Sequence, residues 1–278
     1  MDIRSHIGGG DVLIAVAGSS GLGRVAGIPA ARPGALLAAL TATPERHVAL
    51  LVPRHAATAA RQQAHVAIAG RPELRVCVLP LDHHALTLTV IGATVLELEG
   101  PGRGWTDPGE AVQLLQQSAA RSRSFVWYPR VLSLSDPAAT WRQRVRSILG
   151  ARGFFTELGS RTGLEPGRAG VSPRPDEVWY CAGPPPRLLQ AQLGGQTWRA
   201  LPVATEPSTP YATGTSVELT GLVQPPHPPI TTGRCPSCSV RRTAGGCAFC
   251  GSGPRPWATA RGHAESRSKV LSEGGATR

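Results

Sequence analysis

Four of the six cysteines in this chain lie within sixteen residues, as Cys235-Pro-Ser-Cys238 and Cys247-Ala-Phe-Cys250, with eight residues between the pairs. A Cys-x-x-Cys turn brings two thiolates to one ion, and two such turns complete a tetrahedral shell around zinc. Four thiolates leave no coordination position for water or substrate, so such an ion is structural rather than catalytic. Two disulfides or a redox pair are the competing readings. A redox pair would open a helix beside a sheet, whereas these cysteines follow a proline-rich stretch. Gly245, Gly246 and Gly251 flank the second pair, where tight turns need positive φ.

The Cys-Pro-x-Cys and Cys-x-Phe-Cys-Gly forms, over residues 233–252, resemble a zinc ribbon. The resemblance implies that Cys235, Cys238, Cys247 and Cys250 hold a structural Zn2+ ion. Ser239 departs from it, because such knuckles usually carry glycine there. Basic zinc ribbons often bind nucleic acid and often serve as protein docking modules. Arg234, Arg241 and Arg242 flank and lie inside the knuckles, and Phe249 and Trp257 offer stacking faces for bases.

The charge balance points the same way. The formal charge is +11, and four bound thiolates with one zinc ion would bring it to roughly +9. Lys269 is the only lysine, so almost every positive charge is a guanidinium, a planar fork suited to phosphate and to base stacking. A second basic stripe, Arg142, Arg144 and Arg146, lies off the apolar face of a helix. With Arg234, Arg241 and Arg242 it forms the expected nucleic-acid contact set. No stretch approaches the roughly 18 apolar residues of a membrane span, and the N-terminus lacks a signal core. These features, with thiols of metal type, predict a cytoplasmic protein with no membrane partner. Cys77 and Cys181 read as buried bystanders.

The elements that position these residues follow from hydrophobic patterning. Asp11–Ala17, His47–Pro53, Arg75–Leu81 and Ser124–Tyr128 are short apolar runs without polar alternation, as in parallel strands buried on both faces. Gly34–Leu40 and His55–Ala67 read as the helices between the first three runs. This order predicts an α/β fold, a Rossmann-like doubly wound, mostly parallel sheet over residues 1–158. Asp107-Pro-Gly-Glu110 is a capping box opening a helix through Ala120. Asp136 opens another helix running to Leu149, with Trp141, Val145, Ile148 and Leu149 as its apolar face. Residues 85–99, rich in Thr and Val, read as a hairpin about Gly92, with Glu97 and Glu99 on one solvated strand face. Half of the 26 prolines fall in 159–232. That makes 159–223 a Pro-rich β extension, with strands at Glu177–Cys181, Thr197–Leu201 and Ser216–Val223. Residues 224–232 form a stiff linker holding the zinc ribbon (233–252) away from the main body, and 253–278 form a basic disordered tail.

Two further constellations sit at strand ends. Gly18, Ser19, Ser20, Gly21 and Gly23 follow the first strand, where a doubly wound sheet places anionic ligands, with Arg54 at the end of the second. The string resembles the glycine turn of short-chain dehydrogenases, and more loosely the Gly-Ser-Ser turn of Rossmann-type sensor domains of CRISPR systems. The dehydrogenase likeness lacks the Tyr-x-x-x-Lys pair, and Pro29 and Pro33 interrupt the helix that should follow. Asp82-His83-His84 ends the third strand. Neighbours on an extended chain face opposite ways, so at most one histidine enters a site, and the pair reads as surface turn histidines.

No catalytic constellation emerges. The leading expectation is a non-catalytic zinc-ribbon protein that binds nucleic acid or scaffolds a larger assembly. The alternatives are a nucleotide-binding sensor or enzyme with its ligand at Gly18–Gly23 and Arg54, and a protein-docking adaptor.

Overall fold

The computed structural model describes residues 12–17, 21–22, 25–28, 34–98, 107–132, 140–149, 153–157, 165–166, 177–180, 187–193, 197–201, 217–222, 232–242 and 246–252. The chain is an α/β protein with a mostly parallel first sheet. That sheet contains β1 (Val12–Ala17), β2 (Gly21–Leu22), β3 (Val25–Ile28), β4 (His47–Pro53) and β5 (Arg75–Leu81), in the order β2-β3-β1-β4-β5. β1 pairs in parallel with β3 and β4, and β4 with β5, while the two-residue β2 runs antiparallel to β3 at the edge.

Alternation along these strands assigns the two faces. Leu13, Ala15, Val48, Leu50 and Val52 face α1 (Ala35–Ala42) and α2 (Ala57–Gly70). Ile14, Val16, Ala49, Leu51, Cys77 and Leu79 face α3 (Ala85–Leu98) and α4 (Pro108–Arg121). Cys77 is buried, as expected, and its thiol is pushed up to about 12 by that burial. Cys181 lies outside the described residues.

The Pro-rich region contributes four strands to a second sheet with strand order β10-β9-β11-β6-β7-β8. Its members are β6 (Ser122–Tyr128), β7 (Phe154–Glu157), β8 (Glu165–Pro166), β9 (Glu177–Tyr180), β10 (Thr197–Ala200) and β11 (Val217–Leu222), and α6 (Arg187–Leu193) lies between β9 and β10 in the chain. β6 therefore belongs to this sheet and not to the first, pairing antiparallel with β11 and β7. Leu189 of α6 packs against Phe125, Trp127, Val178 and Leu219.

Residues 85–98 form a helix, not the expected hairpin, and the reason is its place. α3 lies between the two sheets. Leu88, Ile91 and Val95 pack on the first sheet, while Leu86 and Val90 meet Trp179, Leu201 and Leu222 of the second. A helix covered on both sides shows no polar stripe, and so loses the 3.6-residue signature that distinguishes it from strands. The Thr89 hydroxyl turns back to the Ala85 carbonyl at 2.8 Å, which lets a β-branched polar residue sit in a buried helix. The strand-face pairing of Glu97 with Glu99 falls with the hairpin; Glu99 itself is outside the described residues.

The helix expected from Asp136 begins later, as α5 (Trp141–Ile148). Its cap is Thr140, whose Oγ1 accepts from Gln143 N while the Gln143 side chain returns to Thr140 N, a full capping box. Asp136 lies outside the described residues. Ser147 is the buried residue of α5, its hydroxyl accepting from Val131 N at 3.1 Å, and the apolar stripe faces outward.

Candidate functional sites

The two Cys-x-x-Cys turns fold into matching knuckles. In the first, Cys235 N donates to Val240 O (2.8 Å) and Ser239 N to Cys235 O (2.8 Å). In the second, Cys247 N donates to Ser252 O (2.9 Å) and Gly251 N to Cys247 O (3.1 Å). The residue after each pair takes the left-handed conformation, Ser239 at φ 59 and Gly251 at φ 68, so the serine adopts the backbone a glycine would occupy more easily. The Sγ atoms of Cys235, Cys238, Cys247 and Cys250 all lie within 4.8 Å of one another. Such a cluster of soft donors fits one tetrahedral ion and leaves no open position.

The knuckles are not held away from the body. Cys235, Val240, Cys247 and Phe249 belong to the same buried cluster as Val16, Leu51, Leu88 and Leu115. Phe249, read from sequence as a stacking face, is buried edge-to-face on His47 with centroids 5.3 Å apart. Trp257 lies outside the described residues.

The amino end of α4 is the seat. Asp107 caps the helix by accepting from Gly109 N at 2.8 Å, and the same oxygen accepts from Arg241 N at 2.8 Å. Its other oxygen pairs with Arg234 at 3.4 Å, and Arg241 reaches Glu110 at 2.7 Å. A Cβ on Gly109 would stand 2.0 Å from the Arg241 carbonyl oxygen, so only glycine permits this approach. Two of the arginines assigned to phosphate thus bind acids of the helix on which the module sits. Arg242 donates its backbone N–H to Gly233 O at 2.7 Å.

A different cluster lies at the carboxyl ends of β4 and β5. Arg54 and Asp82, both exposed, form a two-pronged ion pair, and that hydrogen bond raises the Arg54 pKa further. Gly18, Ser19, Ser20 and Gly23 lie outside the described residues, and Gly21 opens β2. The histidines expected at a surface turn point inward instead. His84 is fully buried: Thr87 N donates to its Nδ1 at 3.1 Å, so the ring proton resides on Nε2 and is donated to the carbonyls of Leu219 (3.2 Å) and Phe125 (3.4 Å). Burial pushes its pKa down to about 4.

His83, half-buried and also held neutral by burial, donates Nε2–H to Ala119 O at 3.0 Å; its Nδ1 accepts from the Ser124 hydroxyl at 2.8 Å. Ser124 Oγ is also 2.8 Å from Thr87 Oγ1, which is 2.8 Å from Thr220 Oγ1. Three hydroxyls and two imidazoles from α3, β6, β11 and the β5–α3 turn thus make one polar cluster between the sheets. It adjoins the apolar seam of Leu86, Val90, Trp179, Leu201 and Leu222. Thr87, Ser124 and Thr220 carried no signal in the sequence, because they come from segments 37 to 133 residues apart.

The cluster and the knuckles occupy opposite ends of α4. Ala119 contacts His83 while Asp107 contacts Arg241, about 18 Å apart along the helix. The other arginine stripe lies elsewhere. Arg142 and Arg146 are exposed on α5, and the Arg142 guanidinium stands 5.9 Å from the Trp141 ring centroid. Arg123, on β6, pairs with Glu157 at 3.0 Å. Among the described residues no helix is long and apolar enough to cross a membrane.

Comparison with known proteins gives a fold but no family. No family model matches the chain, and no curated protein matches it. Among solved structures it is similar to the Streptococcus pneumoniae fatty acid kinase (Fak) B3 protein loaded with linoleic acid, with TM-score 0.54 and 9% identity over 77% of this chain and 99% of that one. It is also similar to a DegV family protein from Corynebacterium glutamicum, with TM-score 0.51 and 12% identity over 78% of this chain and 98% of that one. The expectation of a nucleic-acid-binding, nucleotide-sensing or adaptor protein is therefore corrected. The fold is shared over nearly the whole length of these proteins, and the ligand in the pneumococcal structure is a fatty acid rather than a nucleic acid or nucleotide.

Proposed function

We propose that this protein binds a long-chain fatty acid at the junction of its two sheets. The observation that carries the reading is the polar cluster of His83, His84, Thr87, Ser124 and Thr220 beside the apolar seam of Leu86, Val90, Trp179, Leu201 and Leu222. A hydroxyl of this cluster that turns from its present partner can donate to a carboxylate, and an acyl chain matches an apolar wall; the two together suit an amphiphile with one small anionic head. The fold likeness to a protein loaded with linoleic acid supports it. Arg54, paired with Asp82 at the ends of the same strands, and Gly18, Ser19, Ser20 and Gly21, which follow β1 in the chain, are further candidate contacts.

The four-cysteine cluster holds zinc in this reading, with a structural role. Cys235, Cys238, Cys247 and Cys250 are the ligands. The ion supplies cross-linking of the two knuckles, and through Asp107 and Gly109 it fixes the amino end of α4, the helix whose other end contacts His83.

Displacement of a fluorescent fatty acid by linoleic acid tests the proposal. Saturable binding at one site per chain is expected, and Thr87→Val and Ser124→Ala should each weaken it about tenfold, the equivalent of one hydrogen bond. Absence of saturable binding for chains of about 12 to 18 carbons, or unchanged affinity in both variants, refutes it.

A further inference from the structure

Helix α5 and its C-cap residue Leu149 present four large apolar side chains to solvent. Trp141 is 71% exposed, Val145 42%, Ile148 68% and Leu149 80%. They recur at i, i+4, i+7 and i+8, and at about 100° per residue they fill one stripe roughly 100° wide. On the same wheel Arg142 and Arg144 fall on the two sides of that stripe, with Arg146 beyond Arg142. Ser147, buried and hydrogen-bonded to Val131 N, marks the face turned to the protein. No acidic residue occurs between Thr140 and Leu149.

We propose that α5 is an interfacial helix that seats the protein on an anionic lipid bilayer, its Trp141–Leu149 stripe immersed among the acyl chains and its arginines at the level of the head groups. Charge complementarity selects this occupant. A convex apolar stripe bracketed by guanidinium groups matches a surface that is apolar below and anionic at the rim. A second copy of the chain is disfavoured, because two such stripes face to face would bring like charges together. The arginine stems can lie along the apolar stripe while their charged ends reach the phosphates, as the Arg142 group beside Trp141 already shows. The inference stands on α5 alone and not on the fatty-acid reading, since it requires no occupied ligand site.

Vesicle flotation of the zinc-loaded full chain is the test, with phosphatidylcholine vesicles containing either about 30% or no phosphatidylglycerol, and no fatty acid added. The protein should float with the anionic vesicles at least about tenfold more than with the neutral ones. Trp141→Ser combined with Ile148→Ser removes stripe side chains that are already exposed, so it should leave the melting temperature unchanged while reducing flotation at least about tenfold. Arg142→Gln with Arg146→Gln should reduce binding to anionic vesicles severalfold. No flotation of the parent protein overturns the proposal. So does equal flotation of the Trp141/Ile148 variant, which would assign the attraction to the general positive charge of the chain.

Discussion

Replacing Gly109 with alanine should destabilise this protein, against the usual rule for a glycine in a helix. Elsewhere in a helix the change gains up to about 1 kcal/mol, through lower backbone entropy in the unfolded chain. Here the new Cβ would stand 2.0 Å from the Arg241 carbonyl oxygen and 3.0 Å from both the carbonyl carbon and Val240 Cγ1. A normal C···O contact is about 3.3 Å, so the first knuckle must retreat by about 1.3 Å. The obstacle is backbone and cannot rotate away. A retreat of that size breaks the 2.8 Å bond from Arg241 N to the buried Asp107 carboxylate, a charge-assisted bond contributing about 1.5–3 kcal/mol. It also loosens the packing of Val240 and Cys235 on α4. With the alanine gain subtracted, the lost bond alone leaves a net loss of about 0.5–2 kcal/mol, a fall in melting temperature of roughly 1–8 °C for a chain of this size. Gly70, at the end of α2, provides the control, because a Cβ added there would meet nothing within 4 Å. Gly70→Ala should raise stability by about 0.4–1 kcal/mol. Thermal unfolding of both zinc-loaded variants reads the contrast. If Gly109→Ala matches or exceeds the parent, the knuckles do not rest on α4 as described.

Three further outcomes follow from the same geometry. Stripping zinc with a chelator should lower the melting temperature of the whole chain in one transition, since Cys247 and Phe249 share a core with β1 and β4; a main transition unmoved by the chelator would refute that coupling. Ser239→Gly relieves an exposed left-handed residue at φ 59 and should stabilise the zinc-loaded protein by about 0.5–1 kcal/mol, measured by unfolding; a loss of stability would mean that the hydroxyl makes an essential contact. His84, with a folded pKa of about 4 against about 6.5 unfolded, takes up its proton in the unfolded state first as pH falls. Its share of stability is present above about pH 6.5 and lost towards about pH 4, amounting to about 2 kcal/mol between about pH 7.5 and 5. His84→Gln should flatten that limb of the stability–pH curve, and an unchanged slope assigns the acid sensitivity to other groups.

Local regularities were open to the sequence. β4 and β5 occupy His47–Pro53 and Arg75–Leu81, the same limits the apolar runs have, because strands buried on both faces are apolar throughout. Asp107-Pro-Gly-Glu110 marks a helix start by its own chemistry, and the two Cys-x-x-Cys turns mark a thiolate cluster by spacing alone. What the sequence could not supply was the partner of each surface. The threonine-rich stretch 85–98 is a helix because two sheets cover it, and its periodicity is erased by that double burial. The stripe of α5 has the pattern of a core-facing helix yet lies in solvent, since amphipathicity reports that a face exists and not what covers it.

The arginines show the same division. Sequence determined that Arg234 and Arg241 are cations beside a thiolate cluster, but only the fold brought Asp107 and Glu110, more than 120 residues away in the chain, within reach of them. Likewise His83 and His84 were visible as imidazoles, while their hydroxyl neighbours arrive from α3, β6 and β11. Residue chemistry, spacing and local periodicity are written along the chain. Which groups meet across the two sheets is decided by long-range packing, a property of the whole folded chain that no short window of sequence contains.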